Sequence, residues 1–176
     1  MSKKYELSAE HSIEVLGRKL FRVKSLIDFT TSGGYRVKAG DLGGYVEKED
    51  NLSQSDNAWV CGNAWVYSNA RVYGNARVCG NARVCDNAHI LTISNIGSRG
   101  GTTTFFRGKD KNIYVVCGCF DGTIDEFAKA VEKTHGDNKH GQVYRKAIEI
   151  AKLHIDLSEE DNNEQNTQAQ VHAQDE

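Results

Sequence analysis

Between residues 56 and 90 the chain repeats a pattern of polar and small apolar positions every six residues. In sixes it reads Asp-Asn-Ala-Trp-Val-Cys, Gly-Asn-Ala-Trp-Val-Tyr, Ser-Asn-Ala-Arg-Val-Tyr, Gly-Asn-Ala-Arg-Val-Cys twice, and Asp-Asn-Ala-His-Ile. Alternate side chains of a strand point the same way. Ala58, Ala64, Ala70, Ala76, Ala82 and Ala88 therefore share an interior with Val60, Val66, Val72, Val78, Val84 and Ile90. An internal hexapeptide period predicts a parallel β-helix, with three hexads per triangular coil and residues eighteen apart stacked. Gly, Ser or Asp followed by Asn marks each corner, where positive φ is often required. Val46 and Leu52 fall in phase with the Ala positions, which predicts a wider or irregular first coil. About three coils fit between Lys38 and Ile90, and so short a stack needs caps or neighbouring subunits at its ends.

The flanking segments read as such caps. Residues 13–29 contain two strands joined at Gly17. After Ile90 the repeat degrades, although Ile96 keeps the phase, and Gly97-Ser-Arg-Gly-Gly101 marks a boundary. Strands are predicted over 102–107 and 113–117, with a turn at 108–112. Thr123-Ile-Asp-Glu126 has the form of a capping box and opens a helix to about His135, with Gly136 beyond it. A second helix is predicted over 139–155, where Val143, Ala147, Ile150, Ala151 and Leu153 give an apolar stripe.

The hexads resemble those of the left-handed β-helix, the hexapeptide-repeat fold, and residues 37–53 resemble the lead-in segment of hexapeptide-repeat proteins of bacteriophages and prophages. The resemblance spans about 20–89. It implies a mainly β architecture: a short left-handed parallel β-helix (38–97), an N-terminal β cap (1–37), a small C-terminal α+β unit with two helices (98–155), and an acidic tail (156–176). It also implies triangular prisms that associate side by side, hence a homotrimer or dimer of trimers.

Composition and charge narrow the function. The chain has 176 residues, 39% hydrophobic and 26% charged, with no proline. It holds no apolar run of the ~18 residues a membrane helix requires, and no apolar stretch follows the N-terminal basic residues as in a secretory signal. Five cysteines without such a signal read as reduced cytosolic thiols acting as small apolar side chains. Cys117 and Cys119 are one residue apart, which does not fit zinc spacing, and no metal or cofactor is expected. Of 24 acidic residues, seven lie in 156–176, where there is no Lys or Arg, so the rest of the chain carries 17 acidic against 22 basic residues. The tail's composition predicts disorder. An excess of five positive charges is too weak to argue for nucleic acid.

Outward-facing hexad positions stack Trp59 with Arg77 on one face, Trp65 with Arg83 on the second and Arg71 with His89 on the third, a cation–π arrangement where Arg meets Trp. His89 reads as a stacked surface residue. Hexapeptide-repeat acyltransferases use a His as general base, but no loop interrupts these hexads to form a cofactor groove, and no phosphate-cradling Gly loop is present. No catalytic residue is assigned. The strongest candidate site lies in the C-terminal unit. Ser98-Arg99-Gly-Gly-Thr-Thr-Thr-Phe-Phe-Arg107 combines two Arg, four hydroxyls and two aromatics. On a strand Thr103, Phe105 and Arg107 face one way, offering an aromatic face for a base and a guanidinium for a phosphate. The helix N-terminus at Thr123 adds backbone donors, and Tyr144 on the second helix completes the set.

These readings predict a non-enzymatic binder of a small anionic, nucleotide-like molecule. With the phage resemblance, the expected role is a cytoplasmic sponge in the infected bacterium that sequesters an immune signal. The alternatives are a hexapeptide-repeat acyltransferase and a scaffold that binds and inhibits a host protein.

Overall fold

The computed structural model describes residues 3–158. Strand β1 (Tyr5–Val15) turns back into β2 (Arg18–Ser25) through Leu16 and Gly17, both at positive φ. Two residues with φ > 0 suit a two-residue hairpin turn whose twist matches the strands. Short strands β3 (Phe29–Thr30) and β4 (Arg36–Val37) form their own antiparallel pair, and β5 (Leu42–Val46) follows. The hexads contribute β6 (Trp59–Val60), β7 (Trp65–Val66), β8 (Arg77–Val78) and β9 (Arg83–Val84), each two residues long. Then come β10 (Ile90–Ile96), β11 (Gly101–Arg107), β12 (Ile113–Cys117), β13 (Phe120–Thr123) and helices α1 (Ile124–His135) and α2 (Lys139–His154).

The expected single left-handed parallel β-helix is not what forms. The strands fall into four small separate sheets, of which one is mixed, two are antiparallel and only the pair β6-β8 is wholly parallel. The five-stranded sheet runs β1-β2-β5-β7-β9 and changes from antiparallel to parallel at β5. The four-stranded sheet β10-β11-β12-β13 is wholly antiparallel. Parallel pairing is confined to the hexads and their lead-in: Trp59 pairs with Arg77 and Trp65 with Arg83, eighteen residues on, whereas Val46 pairs with Val66 and Leu52 with Val72, twenty on. The two extra residues absorb the phase difference of Val46 and Leu52. The physical reason for the correction is strand length. Two-residue strands provide little parallel ladder, so the long hairpins at either end dominate the topology.

The hexad Ala and Val side chains nonetheless fill one core. Of the twelve predicted positions only Ala88 is not buried. Tyr5, Val23 and Val37 close this core from the N-terminal side, and Phe106 and Val116 from the C-terminal side. Phe105, Ile113 and Val115, on the opposite face of β11 and β12, pack against Ile124, Phe127, Val131, Tyr144, Ala147, Ile148 and Ala151 of the helices. β11 is thus an inner strand covered on both faces.

Several outward positions are also covered. Trp59 is 1% exposed, its ring edge-on to Phe29 at 5.4 Å. Arg83 lies 3.4 Å over the Trp65 ring, while Arg77 stacks on Tyr35 rather than Trp59. His89 is buried rather than a surface residue, its Nδ1 3.3 Å from the backbone N and the Sγ of Cys85. The thiol expectation is corrected at one pair. Parallel pairing brings the Cα atoms of Cys61 and Cys79 within 4.6 Å, and the two residues are joined by a disulfide. The predicted disordered tail lies, beyond Ser158, outside the described residues; Asp156 still donates its N–H to the Ala88 carbonyl (2.9 Å). No helix among the described residues is long and apolar enough to cross a membrane.

Candidate functional site

A cavity of about 540 Å³ opens where the β10–β11 turn, the β12–β13 turn, the loop at 32–34 and the two helices meet. Three of the seven predicted site residues line it: Ser98, Arg99 and Tyr144. The hairpin turn carrying Ser98 and Arg99 closes between Gly97 and Gly100, both at positive φ. A Cβ at Gly97 would fall on the Tyr144 hydroxyl. The glycine therefore lets the turn sit directly on α2 and brings Arg99 beside Tyr144. A Cβ at Gly33 would collide with the Gly118 carbonyl, so another glycine sets the approach of the 32–34 loop to the β12–β13 turn.

Tyr144 is buried, its ring edge-on to Phe127 at 5.4 Å and its hydroxyl 3.5 Å from Cys117 Sγ. Burial, then the contact with the Cys117 thiol, pushes the phenol well above its ordinary pKa, and the positive charge of Arg99 opposes the shift. The phenol therefore stays protonated and can act as a donor. Thr103, fully buried, donates its hydroxyl to Cys117 Sγ at 3.1 Å and so lies beneath the cavity wall rather than on it. Arg99 is exposed and makes no ion pair or hydrogen bond among the described residues. The lining includes the hydroxyl residues Ser32, Ser98, Thr102 and Thr134, His135 and the aromatic rings of Phe120 and Phe127, and contains no carboxylate.

The remaining predicted residues are placed elsewhere, and each placement is a correction. Phe105 is fully buried, its ring 6.1 Å from Phe127, and offers no face to a ligand. Arg107 is also buried. Its Nε donates to the Arg83 carbonyl (3.2 Å) and an Nη to that of Ser158 (3.2 Å). Thr123 caps α1: its Oγ1 accepts from the Glu126 N–H (3.3 Å) and donates to Glu126 Oε2 (2.9 Å), and the same carboxylate accepts the Thr123 N–H (2.8 Å). The helix N-terminus thus already holds an anion. Phe105 and Phe106 alternate between the two faces of β11, but both faces are covered, so nothing remains for a ligand to stack on.

Sequence reasoning passed over His135, Cys119, Phe120 and Phe127 as site residues. His135 stands 5.7 Å ring to ring from Tyr144, and Cys119 is exposed rather than buried. The only sequence signal for them is their position at the ends of β12, β13 and α1. Among the described residues no group of three His, Cys, Asp or Glu side chains is disposed to hold a metal ion. No family model matches the chain, and no curated protein matches it either.

Proposed function

We propose that the protein captures a small anionic ligand with an aromatic part, nucleotide-like in chemistry, in the cavity beside Arg99, and that it does so without turning the ligand over. The observation that carries this reading is a guanidinium without an ion pair at a cavity whose lining has no carboxylate. A planar guanidinium makes two charge-assisted bonds to a phosphate or carboxylate. The hydroxyls and the Tyr144 phenol supply further donors, and Phe120 and Phe127 supply apolar surface for a base. A volume of about 540 Å³ lies in the usual range for small-molecule sites. With the phage resemblance of the hexads, capture would serve to sequester a signalling nucleotide in the cytoplasm of an infected bacterium, by a homo-oligomer of trimeric order.

Thermal melts with ADP-ribose and a cyclic dinucleotide test this directly. One of them is expected to raise Tm and to be recovered intact after heating. Arg99→Ala should weaken that binding about 10- to 100-fold, the loss of one charge-assisted pair, while the mass by light scattering stays unchanged. No shift with either nucleotide, or an Arg99→Ala protein that binds as wild type, removes the proposal.

A further inference from the structure

On two faces of the hexad region each turn hydrogen-bonds to the next. Trp59 and Cys61 donate their N–H groups to the carbonyls of Ala76 and Val78, and Trp65 and Tyr67 donate to those of Ala82 and Val84 (2.8–3.0 Å). The same stepping on the third face would send Arg71 N–H to the Ala88 carbonyl and Tyr73 N–H to the Ile90 carbonyl, with Ile90 N–H returning to the Arg71 carbonyl. All three partners are taken by other groups. The Ala88 carbonyl accepts Asp156 N–H (2.9 Å), the Ile90 carbonyl accepts His154 Nε2 (3.1 Å), and Ile90 N–H closes a 3-10 turn on the Asn87 carbonyl. Arg71 N–H, Arg71 C=O and Tyr73 N–H are left without a partner among the described residues. They border a cavity of about 780 Å³, into whose lining Leu52, Val72, Ile90 and Leu91 also enter.

The other edge of this strand is held firmly. Val72 N–H donates to the Asn51 carbonyl and Ser53 N–H to that of Val72, both at 2.9 Å. Asn51, fully buried, donates to the carbonyls of Ser68 and Ala70. A preformed edge with two donors and one acceptor matches the backbone of one extended tripeptide.

We propose that the Arg71–Tyr73 edge is a β-addition site that takes an extended peptide of a partner protein with the sequence small–acidic–aliphatic. The peptide's first carbonyl would accept Arg71 N–H, its third N–H would donate to the Arg71 carbonyl, and its third carbonyl would accept Tyr73 N–H. Its first and third side chains would then face the interior, where the hexads place Ala and Val. Its second side chain would lie against the Arg71 side chain, as Arg83 lies against Trp65. Arg71 is exposed and has no ion pair among the described residues, and since Glu49 of the same lining is paired with Lys3, an acid at that place meets the Arg71 charge, opposed within the lining by Asp50.

The test uses the full chain and a fluorescein-labelled acetyl-Asn-Ala-Glu-Val-Asn-amide peptide, read by fluorescence polarisation. Saturable binding is expected. It should weaken at least tenfold when the valine nitrogen is methylated, which removes the donor to the Arg71 carbonyl, and likewise when glutamate is replaced by lysine. Arg71→Glu, an exchange at an exposed position, should invert the preference toward the lysine peptide. Absence of saturable binding overturns the proposal. So does equal binding of the N-methylated peptide, or a preference that Arg71→Glu leaves unchanged. Because Arg99 lies on another cavity, either outcome leaves nucleotide capture to its own test.

Discussion

At the residue scale, the corners of the hexads show how one atom decides a backbone. Gly62, Gly74 and Gly80 turn with φ between +65° and +67°, and Ser68 occupies the equivalent corner at +54°. Only Ser68 carries a Cβ there, at a cost of about 1–2 kcal/mol. Its backbone is held in place because Glu47 accepts its N–H at 2.7 Å. Ser68→Gly should therefore stabilise the fold, by a net ~0.5–1 kcal/mol once the larger entropy of an unfolded glycine is counted. Gly74→Ala, which meets no atom within 4 Å, should destabilise by ~1 kcal/mol through φ alone. Urea unfolding of both variants checks the pair, and opposite signs are the expected result. These corners were legible because Gly and Asn recur at them. The burial of Phe105 was not, since a phenylalanine on a strand carries no mark of which neighbour will cover it.

At the scale of elements, local signals served best where an element's own chain satisfies it. The capping box at Thr123 and Glu126 opens α1 as read, and α2 spans the predicted residues, but of its predicted apolar stripe Ile150 and Leu153 are exposed, and Tyr144 and Ile148 are buried with Ala147 and Ala151 instead. Asn138 caps α2 by accepting the N–H groups of His140 (2.9 Å) and Gly141 (3.0 Å). Asn138→Ala is expected to lower unfolding free energy by ~1 kcal/mol, and because α2 carries Tyr144, to loosen the Arg99 cavity as well; chemical denaturation with and without nucleotide measures both. Strands fared less well. The residues of β10 read as a decaying repeat, and β13 carries only four residues with no alternation to betray it. Each exists because β11 and β12 offer edges for pairing, which is a property of neighbours.

At the scale of the whole molecule, the N-terminal hairpin is fastened to the hexads by Lys4. Its ammonium donates to the carbonyls of Asp56 (2.8 Å) and Ala58 (2.9 Å), and burial lowers its pKa to about 8, against a smaller opposing pull from Asp56. The unfolded chain keeps this proton up to an ordinary lysine pKa near 10.4, so between about 8 and 10 the unfolded state binds more protons than the folded one. Stability contributed by Lys4 should rise with pH across that window. Tyr5, whose pKa burial raises, acts in the opposite direction only once unfolded tyrosine ionises near 10. Urea midpoints at pH 7.5 and 9.5 should show the rise in wild type, and Lys4→Met should flatten it.

The order of residues along the chain was enough to establish the six-residue period, its buried Ala and Val positions, the glycine corners and both helices. Each of these depends on contacts within a few residues or on a repeat that copies one environment many times. Tertiary structure alone decided that the ladders stay short and separate, that both faces of β11 are buried, and that Arg99 rather than Arg107 meets open space. It also decided that the carbonyls due to Arg71 and Tyr73 bond instead to His154 of α2 and to Asp156 just after it. Those outcomes turn on which distant segments compete for the same hydrogen-bonding groups and apolar faces, and that competition takes place only in three dimensions.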